Sequence, residues 1–228
     1  MTDTLRVLLE VGPKGKRVVA NALEWPGLER SGKTDDDAIA KLTSYRPRYA
    51  VVAERAGLGS EFKRQQSMDV VERYIGNTST DYWGIGHVAS ESQRQTLSAP
   101  DLEKRLALMA ACWAYFDDVA SRVSADLRSS PRGGGWTRDE LIRHVHLNEP
   151  EQSTRKVEVR TGRDVMLDPD GRAAHREATM DAIRAYNADG KPVGRSSSVQ
   201  FLIRRITQHV MDHAWEMEDR DLTPSAPR

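Results

Sequence analysis

His209 and His213 stand four residues apart in the segment Ile206-Thr-Gln-His-Val-Met-Asp-His-Ala-Trp-Glu216. Four residues is slightly more than one helical turn, so on a helix both imidazoles project from the same face. Two imidazoles so placed suit two ligands of one transition-metal ion, provided a third group arrives from elsewhere in the chain. His144, in Trp136-Thr-Arg-Asp-Glu-Leu-Ile-Arg-His144, is the favoured third, because it shares a helical face with Leu141, Val145 and Asn148. His146 lies about 200° further round that helix and is the fallback. Three neutral imidazoles would leave the ion its full positive charge and an open position, where the pKa of a bound water falls to near ~7. Spacing alone more often means two ordinary histidines bonded to a carboxylate such as Asp212 or Glu216.

No general base stands out. Glu140, Glu149, Asp212 and Glu216 are candidates by nearness in sequence, yet such residues more often cap helices, face solvent or orient an imidazole. Cys112, the single cysteine, lies between Ala111 and Trp113 in an apolar helical stretch and reads as inert core. His87 and His175 read as surface residues. Trp113, Trp136 and Trp215 read as core, with a pocket lining as the alternative.

These residues need helices to hold them. Asp101–Ala120 carries Leu102, Leu106, Met109, Trp113, Phe116 and Ala120 at spacings of three and four, which is one helical face. The run 131–135, rich in glycine, breaks the chain; Thr137 then caps a second helix, with Glu140 completing a capping box. Pro150 should end or kink this helix. A third helix runs from Pro169 to about Asn187 and a fourth from Ser198 to Asp219, and the tail from Thr223 reads as frayed. On the fourth, the apolar stripe Leu202, Ile206, Val210 and Met217 runs beside His209 and His213, so the pair faces inward. Four helices joined in this way predict an antiparallel four-helix bundle over 98–220.

The N-terminal part differs. Leu5–Val11 alternates, a turn follows at Gly12-Pro-Lys-Gly15, and Lys16–Ala22 alternates again, which predicts a β-hairpin. Trp25-Pro-Gly-Leu28 ends the second strand. Thr34 caps a helix that runs to about Arg55, with Asp35, Asp36 and Asp37 favoured by the helix dipole and Pro47 kinking it or dividing it in two. Met68–Ile75 is a third strand. The fold class is therefore α+β: a small ββαβ module over 1–85, followed by the bundle.

Two stretches resemble known families. The hairpin, Trp25-Pro-Gly-Leu28, Gly32-Lys-Thr34 and Asp37-Ala-Ile39 resemble a HicB-type module over about the first 55 residues. Residues 98–220 resemble the DinB/YfiT-like four-helix bundles, on Trp136-Thr-Arg-Asp-Glu-Leu-Ile-Arg-His144 and His209-Val-Met-Asp-His213. The second resemblance implies a divalent metal on His144, His209 and His213. It also implies activation of water or of a thiol such as mycothiol or bacillithiol, in transfer, isomerisation or hydrolysis. Zinc and nickel lead the expected metals, ahead of iron and manganese. Ala-Trp-Glu216 after His213 departs from the small and amide residues often found there. The first resemblance implies a sheet for protein contacts, and with it an alternative: a non-catalytic binding or regulatory protein whose bundle is structural.

Composition narrows the class. The 34 Lys and Arg balance the 34 Asp and Glu, which argues against nucleic acid and an anionic membrane surface as partners. No apolar run reaches membrane-spanning length and no secretory signal opens the chain. With one cysteine, this describes a soluble, reduced, cytoplasmic protein, and the DinB-like resemblance implies a small molecule or thiol as its partner. An exposed edge of the N-terminal sheet predicts a homodimer.

Overall fold

The computed structural model describes residues 3–129, 135–194 and 197–223. The chain is α+β. It begins with β1 (Thr4–Val11), β2 (Val18–Ala22), β3 (Glu29–Gly32), α1 (Asp35–Arg55), α2 (Gly59–Arg64) and β4 (Ser67–Ile75). Short helices α3 (Thr78–Trp83) and α4 (Glu91–Arg94) follow, then α5 (Ala99–Arg122) and α6 (Arg138–Asn148). A π-helical turn (Glu149–Ser153), a 3-10 turn (Thr154–Val157), α7 (Arg163–Leu167), α8 (Pro169–Ala188) and α9 (Val199–Arg220) complete it. The expected break at 131–135 falls, but for Gly135, outside the described residues, as does the tail from 224.

The sheet has the order β3-β2-β1-β4. The hairpin forms as its alternation predicts, with Val7 opposite Ala22 and Val11 opposite Val18. β4 lies parallel to β1, and the crossover a parallel pair requires is supplied by β2, β3, α1 and α2. The expected ββαβ order lacks β3, which pairs antiparallel with β2. Its sequence, Glu-Arg-Ser-Gly, has no apolar alternation to announce a strand. Thr34 caps α1 by accepting from the Asp37 amide at 3.1 Å. α1 is one helix of 21 residues with Pro47 inside it, so it is not divided in two.

Both faces of the sheet are covered. Leu5, Val7, Leu9 and Val11 alternate onto the face that shares a core with Leu42, Tyr49 and Val52 of α1. On the other face Glu10 is fully buried and accepts from the Thr80 hydroxyl at 2.8 Å and the His87 amide at 2.9 Å. The buried apolar side chains of β1, β2 and α1 form one cluster with those of α5 and α9. Each large side chain wholly buried in it, such as Phe116 or Leu106, is worth roughly 1.5–3 kcal/mol. The Trp25-Pro-Gly-Leu28 turn is wedged into that junction. Gly27 has φ 97°, and a Cβ there would press on Met211 Cγ at 3.0 Å and Cys112 Sγ at 3.1 Å.

One polar device ties α9 to the sheet. Arg204, 3 % exposed, donates from Nε to Glu29 at 2.7 Å and from Nη1 to the Tyr74 hydroxyl at 3.0 Å, with Glu10 at 3.4 Å from Nη2. A Cβ on Gly86 would fall on this guanidinium. Among the described residues, no helix is long and apolar enough to cross a membrane.

Candidate metal centre

α9 begins at Ser198, whose hydroxyl accepts from the Phe201 amide at 3.2 Å, and it buries the expected stripe of Leu202, Ile206, Val210 and Met217. His209 and His213 follow that stripe on consecutive turns, and both are half-buried. α6 is fixed at its start by the expected capping box, in which Thr137 and Glu140 exchange hydrogen bonds. Leu141 and Val145 anchor the helix in the core, and this carries His144 to the α9 pair.

The three imidazoles meet. His144 Nε2 and His209 Nε2 are 3.1 Å apart, and one ring nitrogen from each of His144, His209 and His213 lies within 4.8 Å of the others. The ring centroids are 4.8–5.1 Å apart at steep mutual angles. Two nitrogens each about 2.0–2.1 Å from one zinc ion at the tetrahedral angle stand about 3.3 Å apart. The donor set therefore fits a first-row divalent metal. Burial pushes His144 below the usual imidazole range and His209 well below it, with neighbouring histidines adding to the effect. Both rings are neutral at pH 7, the state a metal ligand requires.

The outer ring nitrogens of His213 and His144 have partners. Glu216 Oε2 is 3.0 Å from His213 Nδ1, and Glu216 Oε1 accepts from Arg220 Nη1 at 2.7 Å. Arg220 also donates to the Trp136 carbonyl at 2.8 Å, and the Trp136 ring lies 4.6 Å from that of His144. A carboxylate on Nδ1 keeps the proton there and presents the Nε2 lone pair. Asn148 behaves differently. Its Nδ2 lies 2.9 Å from His144 Nδ1 and 3.0 Å from the His144 carbonyl. With the amide so turned, His144 carries its proton on Nε2 and donates to His209. With Oδ1 turned to Nδ1 instead, Nε2 is free for an ion.

His146 does not join the cluster. It packs edge-on against Phe116, is 5 % exposed, and its Nε2 has no partner among the described residues. The other sequence candidates also separate. Glu140 is a cap, and Asp212 is paired with Arg30 at 3.0 Å. Cys112 is fully buried and its thiol is pushed up by desolvation. His87 is exposed as expected, and Trp113 and Trp215 are core, but Trp136 is 46 % exposed.

One expectation is overturned, on α8. His175 is not at the surface: it is 3 % exposed on a buried stripe with Thr179, Ile183 and Asn187, whose spacing of four is disguised by polar residue types. α6 ends at Asn148, where Pro150 was expected to end or kink it. It widens into the π-helical turn, which accommodates a residue with no N–H for the α-ladder. This turn buries Glu149, which accepts from Trp113 Nε1 at 3.0 Å and lies 3.7 Å from His175 Nε2. Thr161 Oγ1 meets His175 Nδ1 at 2.7 Å. Burial raises Glu149 to about 7 and lowers His175 to about 4.

The metal-cluster spacing was legible in the sequence. The roles of Asn148 and Arg220 were not, although Asn148 is four residues from His144 and Arg220 four from Glu216. Beside His213 and Glu216 opens a cavity of about 740 Å³, whose other wall includes Arg17, Arg30 and Trp83. No family model, no curated protein and no solved structure matches this chain.

Proposed function

We propose that the chain is a divalent-metal-dependent enzyme of the DinB-like type, a thiol-dependent transferase or isomerase or a hydrolase. The observation that carries this reading is the meeting of His144, His209 and His213, with one ring nitrogen of each inside 4.8 Å. In this reading α5, α6, α8 and α9 form the four-helix bundle, and β1–β4 with α1 form a HicB-like module.

The three histidines would hold the ion, with zinc or nickel favoured by an all-imidazole set. Such an ion supplies Lewis acidity that lowers the pKa of a thiol or water. The rest falls to this chain's own residues. Glu216 holds the His213 Nδ1 proton and is itself fixed by Arg220, which also holds the Trp136 carbonyl. Asn148 sets the tautomer of His144. Of the three rings, that of His213 lines the cavity, and a substrate there would reach the ion from its side. Cys112 supplies no nucleophile, being buried and held as a thiol, so the thiol in a transfer reaction is a separate small molecule.

The test is consumption of a low-molecular-weight thiol and an electrophile by untagged, zinc- or nickel-loaded protein. Turnover by wild type that is lost in His209→Ala supports the enzyme. Metal bound at full occupancy with no turnover across thiols, electrophiles and hydrolysable esters would move the protein to the alternative, a binding module with a structural ion.

A further inference from the structure

The cavity beside His213 has a distinctive charge pattern. Four acids line it, and each already has a cation. Glu29 is bound by Arg204 at 2.7 Å, Asp212 by Arg30 at 3.0 Å, Asp219 by Arg48 at 2.8 Å, and Glu216 by Arg220 at 2.7 Å. Three lining cations, Arg17, Lys41 and Arg128, have no carboxylate in ion-pair range among the described residues. The positive charge at this wall is therefore unmatched by protein.

Arg30 is held as a rigid donor. Its guanidinium lies between the rings of Tyr45 and Trp215, 3.8 and 4.0 Å from their centroids. Nη1 donates to the Glu29 carbonyl at 3.1 Å as well as to Asp212. The residue is only 9 % exposed, and its buried Nε has no partner among the described residues. With Nη1 committed and Nε enclosed, Nη2 is the nitrogen left for an oxygen anion, and a guanidinium fixed by stacking loses little freedom on meeting one. A volume of about 740 Å³ is that of a small-molecule site.

We propose that this cavity takes a small organic anion, its carboxylate or phosphate group bound by Arg30 with Arg17 and Lys41, and its reacting end at His213. The proposal rests on the metalloenzyme reading for the chemistry at His213, but not for binding of the anion. It gives the N-terminal segment a role, since Arg17 follows the β1–β2 turn, Arg30 is on β3 and Lys41 on α1. The segment then forms the wall that selects the substrate.

Calorimetry on the untagged, zinc-loaded full chain tests this with succinate, inorganic phosphate and the uncharged succinamide. Succinate or phosphate is expected to bind with one-to-one stoichiometry, and succinamide at least about tenfold more weakly. Succinate preference marks a carboxylic acid and phosphate preference a phosphate ester. Arg30→Met should abolish binding, with Arg30→Lys not restoring it. Should Arg30→Met fail to fold, the surface pair Arg17→Gln with Lys41→Gln carries the test, weakening binding about tenfold or more. Absence of binding at about 10 mM of either anion, equal binding of succinamide, or wild-type affinity in the Arg17→Gln, Lys41→Gln variant would overturn the proposal. Metal content measured on the same samples separates the two readings. Wild-type protein that holds the metal but binds neither anion overturns this proposal alone, and anion binding by protein that takes up no metal overturns only the metalloenzyme.

Discussion

His144 on α6 and His209 on α9 face each other with their Nε2 atoms 3.1 Å apart, although 65 residues separate them in the chain. Two ring nitrogens at that distance share either a proton or an ion. The residues behind them decide which.

Glu216 keeps the His213 proton on Nδ1, and Glu216→Gln weakens that bond while preserving its shape. Metal affinity should fall by about 10–100-fold, the usual cost of removing a partner behind a ligating histidine. Chelator competition measures it, and circular dichroism should show the helices unchanged.

Asn148 acts in the opposite sense. Asn148→Asp replaces an amide donor at His144 Nδ1 with a group that only accepts when ionised, which places the proton on Nδ1 and frees Nε2. Metal affinity in the same competition assay should rise, by about tenfold.

Arg204 joins α9 to the sheet through Glu29, Glu10 and Tyr74, with all three ionic groups buried. Arg204→Met leaves two buried carboxylates without their cation and should cost about 3–5 kcal/mol in urea unfolding. Adding Glu29→Gln should recover part of that loss, because one uncompensated charge is removed.

Glu149 and His175 give opposite pH dependences. Burial lowers His175 to about 4, so its contribution is present above the unfolded value near 6.5 and is lost as pH falls toward 4. Glu149 is raised to about 7 from its ordinary 4.5, so its contribution is present below 4.5 and is lost as pH rises through 7. Glu149→Gln keeps an acceptor for Trp113 and removes the second effect. At pH 8 the variant should be more stable than wild type by on the order of 2 kcal/mol, and its stability should fall more steeply from pH 6.5 to 4. Thermal unfolding across pH checks both slopes.

The helical part of the chain was readable because apolar residues recur at three and four along α5 and α9, and because Thr137 with Glu140 marks the start of α6. The histidine cluster was readable for the same reason, as spacing on two such helices. What escaped has a common physical origin in polar burial. β3 is Glu-Arg-Ser-Gly and is buried by pairing with β2 and by the Arg204 ion pair. The inward stripe of α8 is made of His175, Thr179 and Asn187 beside Ile183, which no hydropathy pattern reveals. Glu149 is carried inside by a π-helical turn whose only local sign is Pro150. The cavity wall was hidden too, since Arg17, Arg30 and Lys41 come from three elements that only the fold brings to His213.

The central claim is that His144, His209 and His213 hold one divalent ion. Metal analysis of protein purified without a histidine tag tests it most directly, comparing wild type with His213→Ala. About one equivalent of zinc or nickel in wild type, lost in the variant, is the predicted result. Less than about a tenth of an equivalent of any divalent metal in wild type, unchanged by His213→Ala, would contradict it.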